Sequence, residues 1–193
     1  MAIMQLYLDE ICKINRLDIP GKGLCQWVFH HGMLFSSPHK WWLDPNTTEP
    51  ALRSTLHEGV DILMYINSSK CIEKLNPGAL VPSAADGRII NICDDFLGQS
   101  IVVRHNISHC QKLDLIFVYA HVSPVHTIKA DIDISKGDII ASIAPEKSNQ
   151  GTPSPHLHLS IIEVPKNIAH PKLNWSLFAG TRSEINLINP FFI

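Results

Sequence analysis

Cysteine is scarce and not paired by spacing: Cys12, Cys25, Cys71, Cys93 and Cys110 are odd in number and contain no C-x-x-C. A zinc ribbon and a disulfide framework are therefore not indicated, and the five read mainly as buried thiols. Long apolar runs are missing as well. The best candidate, Leu113 to Val122, contains Asp114 and His121 and falls short of the roughly 20 residues that cross a bilayer as a helix, so no transmembrane segment is expected. The opening ten residues lack a basic n-region, and Asp9 and Glu10 interrupt their apolar residues, so no signal peptide is read there and the location stays unknown from these residues. Positive charge is not in excess: 16 Lys and Arg stand against 18 Asp and Glu, a net charge of -2. Without a basic surface to neutralise phosphates, nucleic acid is not an expected partner. At 18% charged and 45% hydrophobic the composition excludes long disorder, and 193 residues suffice for one core with little more than an extension beside it.

The pattern along the chain points to a mainly β protein with an antiparallel sheet. Ile3, Tyr7, Ile11 and Ile14 recur at helical spacing and predict a short N-terminal helix ending before Pro20, Gly21 and Gly23. Gln26 to Asn46 mixes Trp, Phe, His and Pro without a sustained period and reads as irregular packing around a domain entrance. From about Leu56 the chain becomes short β-branched runs: Val60–Ile66, Gly87–Cys93, Gln99–His105, Leu115–Val122, Asp138–Ile143 and His156–Val164. Few helical windows separate them, which argues against βαβ units. Asp86-Gly87 and Lys136-Gly137-Asp138 are expected to close hairpins, and Pro145 to Pro155 is too rich in turn formers to be a strand.

Histidine is the abundant reactive type, with 11 copies. His57-Glu58-Gly59-Val60-Asp61 pairs an imidazole with a carboxylate, both suited to zinc. Gly59 fits a bend or bulge that lets His57 and Asp61 point to one side of an extended segment, and the pattern arises by chance only about 0.03 times in such a chain. His156-Leu157-His158 opens a strand-like run. Alternation sends both rings to one face and the leucines to the other, although an H-x-H alone is expected by chance roughly 0.6 times. Tyr119-Ala120-His121 ends a third apolar run, and a histidine in that position is by itself most simply a hydrogen-bonded core residue.

Taken in order, His57-Glu58-Gly59-Val60-Asp61, Tyr119-Ala120-His121-Val122-Ser123, Gly137-Asp138-Ile139-Ile140 and Pro155-His156-Leu157-His158-Leu159 resemble the lysostaphin-type, or LytM-like, zinc metallopeptidase family over Leu56 to Val164. Asn189-Pro190 is a weaker echo of the family's closing segment. The resemblance implies an antiparallel β metallopeptidase domain at 51–193, carrying residues 1–50 as a helical and irregular extension packed on it. It implies one zinc ion held by His57, Asp61 and His158, with water in the fourth place, and His121 and His156 as catalytic groups whose division of roles the sequence does not assign. Family members mostly hydrolyse peptide bonds in bacterial peptidoglycan, commonly outside the cytoplasm, so peptidoglycan peptides are the implied substrate. The alternative is an inert member of the same fold, acting as a cell-wall-binding or regulatory domain with its groove blocked by residues 1–50.

Other residues carry weaker signals. Glu58 follows a ligand as in H-E-x-x-H zincins, but no His stands at 61, so an exposed or supporting glutamate is expected. Arg53 reads as a solvated arginine, with a substrate carboxylate as the sharper option. Tyr119 lies two residues before His121, is expected to share its strand face, and could donate to substrate or simply pack. Trp41 and Trp42 read first as packing and second as groove walls. His30, His31 and His39 have no ligand spacing and read as loop or surface residues. A D-Ala-D-Ala-type peptidase would carry an acidic residue three before His156, where Pro153 stands. Ser154 replaces a common family glycine, and the Leu97 to Leu115 stretch, with His105, His109 and Cys110, is expected to alter the groove walls.

Overall fold

The computed structural model describes residues 3–17, 25–43, 50–107, 112–147, 152–178 and 185–193. It contains, in order, α1 (Ile3–Ile14), β1 (Gln26–Val28), β2 (His39–Leu43), β3 (Pro50–Leu52), β4 (Val60–Ile62), β5 (Met64–Ile66), β6 (Ile72–Lys74), β7 (Leu80–Pro82), β8 (Gly87–Asp94), β9 (Gln99–His105), β10 (Leu113–Pro124), β11 (Asp133–Ile134), β12 (Ile139–Ile143), β13 (Leu157–Pro165), α2 (Trp175–Phe178) and β14 (Asn186–Ile188). Every ladder is antiparallel, as the short β-branched runs predict. Val60–Ile66 is two strands rather than one: β4 joins the main sheet while β5 turns away to pair with β1 and β6.

Because side chains alternate across a strand, β10 feeds two cores. Leu115, Phe117 and Tyr119 enter the larger one with Ile101, Val103, Leu157, Leu159 and Ile161, and α1 covers it with Met4, Tyr7, Leu8, Ile11 and Cys12. The N-terminal helix is thus part of the main core. Ile116, Val118 and Ala120 face the opposite way, onto Val102, Ile162 and Val164, where Leu173 and Phe178 close a second core. The segment 25–43 is more regular than its composition suggests, because its short strands take their order from neighbours: Gln26, Trp27 and Val28 pair with Ile66, Tyr65 and Met64.

One feature of β10 positions the site. Leu113 to Ala120 pair with β13, whereas Val122 to Pro124 pair with β12. On the β9 edge, the three steps from Tyr119 to Val122 match only two from Ile101 to Gln99, which is a β-bulge. His121 sits at this fork with φ +63°, in the left-handed region.

The two glycine turns expected to close hairpins do not. The strands flanking Asp86-Gly87, β7 and β8, pair with different neighbours, as do β11 and β12 around Gly137. The turns instead clasp each other: Asp86 Oδ1 accepts from Lys136 N at 2.8 Å, and Gly137 N donates to Ser83 O at 2.9 Å. Turn chemistry specifies a local bend, not which strands meet across it. Asn189 caps a single turn of 3-10 helix, Pro190–Phe192, and Ile193 O accepts from Ile3 N at 2.7 Å, tying this turn to the start of α1.

Candidate metal centre

Register builds the centre. Asp61 in β4 stands opposite His158 in β13, and His158 stands opposite Ala120 in β10, so Asp61 and His158 project from neighbouring strands on one face. His57 is tied down just before β4: its N donates to Ser37 O at 3.0 Å and its O accepts from Ser36 N at 2.8 Å. Gly59 is demanded by close approach, since a Cβ there would lie 2.4 Å from Leu159 O and 2.8 Å from His158 Nε2. His156 and His158 share one face while Leu157 and Leu159 enter the main core, as alternation predicts.

His57 Nε2, His158 Nδ1 and Asp61 Oδ1 form a triangle with edges of 3.2, 2.8 and 3.2 Å. All three residues are buried. Tetrahedral zinc with N and O ligands at about 2.0–2.1 Å spans about 3.3 Å between donors, so the triangle has the size of one face of such a site. The outer ring nitrogens are engaged. His57 Nδ1 donates to Leu34 O at 3.0 Å, and a carbonyl only accepts, so the neutral ring presents its Nε2 lone pair inward. His158 sets Nε2 at 2.8 Å from Ser160 Oγ and turns Nδ1 inward. The donor set, its burial and its spacing fit zinc.

Asp61 is the hub. Its Oδ1 also lies 3.3 Å from His156 Nε2, and Oδ2 accepts from Trp41 Nε1 at 2.6 Å and from Arg53 at 3.4 Å. Burial opposes ionisation of this carboxyl, but His156 and His57 beside it hold it well below its usual value. His156 Nδ1 donates to Ser154 O at 2.8 Å, which turns its Nε2 inward, toward Asp61 Oδ1. Residue 154 contributes here through its backbone.

His121 reaches the centre against the alternation of its strand. Ala120 shares the face of His158, so a regular strand would turn His121 to the opposite side, with Tyr119. The bulge and positive φ redirect it: its ring centroid lies 4.9 Å from that of His156 and 5.6 Å from that of His158. Tyr119, by contrast, remains in the core. Its hydroxyl lies 2.8 Å from His105 Nε2 and accepts from Ala84 N at 3.0 Å, which removes it as a donor to substrate. Burial pushes His121 down to about 4, with Asp95 opposing the shift through its hydrogen bond to Nδ1.

All five histidine and aspartate positions singled out in the sequence thus converge. Three other expectations change. Arg53 is not a solvated arginine, its side chain being 16% exposed and bonded to Asp61, Gly32 O and His39 O. Trp41 is more than packing, because its indole N–H holds Asp61. Cys71 is exposed, while Cys12 and Cys25 are buried. His109 and Cys110 lie outside the described residues. Sequence reading missed Asp95, Phe96 and Trp175. Phe96 meets the His121 ring edge-on at 4.7 Å, and Trp175 stacks on it at 6.4 Å with an interplanar angle of 11°. No local motif marks these residues; the hairpin tip and the C-terminal turn meet the site only through the fold. The cavity over the centre is about 40 Å³ and is walled by Trp42, Glu58, Phe96, Pro153 and Trp175.

Residues 55–170 match peptidase family M23, and the chain belongs to that family. It is a family of metallopeptidases generally dependent on zinc, and the His-Asp-His group lies within the matched span. Among solved structures, the chain is similar to the NMR solution structure of lysostaphin at 20% identity and a TM-score of 0.40, over 60% of this chain and 39% of that one. The chain therefore spans well under half of that lysostaphin chain. No curated protein matches it.

Proposed function

We propose that the protein is a zinc-dependent endopeptidase acting on the peptides of bacterial peptidoglycan, with His57, Asp61 and His158 as ligands of one ion and His121 and His156 as proton-transfer groups. The observation that carries this reading is the buried triangle of Nε2, Oδ1 and Nδ1, with two further imidazoles beside it. Membership of peptidase family M23 supports this substrate class, and a peptidoglycan substrate would be met in the cell envelope or outside the cell.

When bound, the ion supplies Lewis-acid chemistry, polarising a scissile carbonyl and making water a stronger acid. The side chains do the rest. Trp41 and Arg53 hold Asp61 Oδ2, which leaves Oδ1 directed at the donor triangle. His156, its Nδ1 fixed on Ser154 O, offers an inward Nε2. His121 faces it across the cavity, so one imidazole accepts a proton from the attacking water and passes it to the leaving amine, while the other orients the water. Phe96 and Trp175 flank His121 and limit the water around it.

The test is zinc content by elemental analysis paired with peptidoglycan cleavage, for the intact protein, His158→Ala and His121→Ala. The reading expects one zinc in the intact protein, loss of zinc in His158→Ala, and zinc without cleavage in His121→Ala. An intact protein that holds zinc and cleaves neither peptidoglycan nor glycine-rich peptides overturns it.

A second reading, a binding or regulatory domain of the same fold, draws on the size of the cavity. About 40 Å³ admits a few waters, against the several hundred Å³ of ordinary ligand pockets. Sedimentation with peptidoglycan without cleavage is its signature. Deleting residues 1–50 does not test it cleanly, because the deletion also removes α1 from the main core.

A further inference from the structure

The hairpin tip between β8 and β9 ends on His121. Asp95 Oδ1 accepts from Leu97 N at 2.9 Å and Gly98 N at 2.7 Å, an arrangement that by itself only shapes the tip. The same carboxylate also binds His121 twice, Oδ1 accepting from ring Nδ1 at 3.0 Å and Oδ2 from backbone N at 2.9 Å. Ser100 Oγ donates to Oδ2 at 2.7 Å and in turn accepts from Trp175 Nε1 at 2.8 Å. The Asp95 side chain is 1% exposed and that of His121 4%. The tip is seated directly over the bulge, where a Cβ on Gly98 would lie 2.8 Å from Val122 O.

These contacts do two things for one residue. A histidine in the left-handed region has given up a favourable backbone conformation, and a carboxylate on its amide stabilises that turn. On the ring, an ionised carboxylate accepts only, so the proton of a neutral His121 sits on Nδ1 and Nε2 is left with a lone pair toward the cavity. We propose that Asp95 is the positioning residue of His121, holding both its inverted backbone and the tautomer that exposes Nε2 to the cavity. The assignment rests on the reading of His121 as a proton-transfer group, but its geometric content stands separately. Ser100 and Trp175 extend the arrangement, since the indole that stacks on the His121 ring also orients the hydroxyl that holds Asp95.

The test uses the intact, zinc-loaded protein labelled with 15N in its histidines. Long-range 1H–15N spectra report which nitrogen of each ring carries the proton, and His121 is assigned by its loss in His121→Gln. The expected result is a single Nδ1–H form of His121 in the wild type. In Asp95→Asn the amide matches the surrounding donors poorly, and the His121 signals shift toward the Nε2–H form or exchange between the two. Zinc stays at one per chain, kcat falls on the order of a hundredfold or more, and KM changes less than about threefold, as when the carboxylate partner of a catalytic imidazole is replaced by an amide. Ser100→Ala, which removes one donor from Oδ2, lowers kcat several-fold with zinc retained. A wild-type His121 that carries its proton on Nε2 overturns the proposal, as does an Asp95→Asn protein with unchanged tautomer and kcat. Should Asp95→Asn fail to fold, the wild-type spectrum and Ser100→Ala decide. If the wild type cleaves nothing while its His121 is held as Nδ1–H and released in Asp95→Asn, the enzymatic reading fails and the positioning role stands.

Discussion

Gly59 lies against His158 so closely that a Cβ on the glycine would come within 2.8 Å of the imidazole Nε2, and within 2.8 Å of the Ser160 hydroxyl that this nitrogen meets. The absent side chain is what allows β4 to approach β13 and to bring Asp61 opposite His158. Gly59→Ala should therefore act on both fold and site. The methyl meets Leu159 O at 2.4 Å, a backbone atom that cannot swing away, so the strands must part. A loss of about 1–3 kcal/mol, typical of overpacking, is expected in thermal or denaturant unfolding, together with weakened zinc binding in a chelator competition. An alanine variant with unchanged stability and zinc affinity would show that the two strands tolerate separation.

Trp41 reaches Asp61 from outside the matched family span. Its Nε1–H on Oδ2 leaves Oδ1 for the donor triangle, and Trp41→Phe keeps most of the ring against His156 while deleting the donor. Partners of metal ligands are commonly worth 10–100-fold in affinity, and a fall of about that size in zinc affinity is the expected outcome. Metal-buffered titration measures it, with circular dichroism to show that the fold is kept. If the affinity is unchanged, the indole is a wall and nothing more.

The site was legible where one strand carries its own signal. Alternation puts His156 and His158 on one face, and a bend at Gly59 does the same for His57 and Asp61, while only the family resemblance joined the two pairs into one centre. The placement of His121 was not derivable in this way. Period-2 reasoning puts it beside Tyr119, and only the bulge at the β12–β13 fork separates the two, sending Tyr119 into the core and His121 to the metal centre. Asp95 and Trp175 were silent because they are recruited by tertiary contacts from a hairpin tip and a four-residue helix. The same limit explains the two glycine turns: Asp86-Gly87 and Gly137 announce bends, but partner choice is a property of the whole sheet.

His105 should make the protein acid-sensitive independently of the metal centre. It is buried between Asp86 O and the Tyr119 hydroxyl, and burial pushes its pKa down to about 4 from 6.5. Between these values the unfolded chain binds a proton that the folded protein refuses, so the contribution of His105 to stability is full above pH 6.5, declines as pH falls to about 4, and levels off below it. The shift corresponds to about 3 kcal/mol across that window. His105→Gln should be less stable at neutral pH, yet lose less on acidification by about that amount in urea unfolding at a series of pH values. Zinc release in acid is common to both proteins and cancels in the comparison. Parallel curves for wild type and variant would remove His105 as the cause.

Tyr7 presents the opposite case, a polar atom whose removal should help. Its ring meets Tyr119 edge-on at 5.9 Å inside the main core, and its hydroxyl is the one buried side-chain polar atom among the described residues without a hydrogen-bond partner. Desolvating such a group costs about 1–3 kcal/mol that nothing offsets. Tyr7→Phe retains the ring and its contact with Tyr119 while deleting that cost, so a gain of about 1 kcal/mol is expected, read as a higher denaturant midpoint at unchanged m-value. The gain should come without any change in zinc content, since α1 covers the face of the sheet opposite the metal centre. A loss of stability in Tyr7→Phe would mean that the hydroxyl finds a partner in solution, with ordered water as the first candidate.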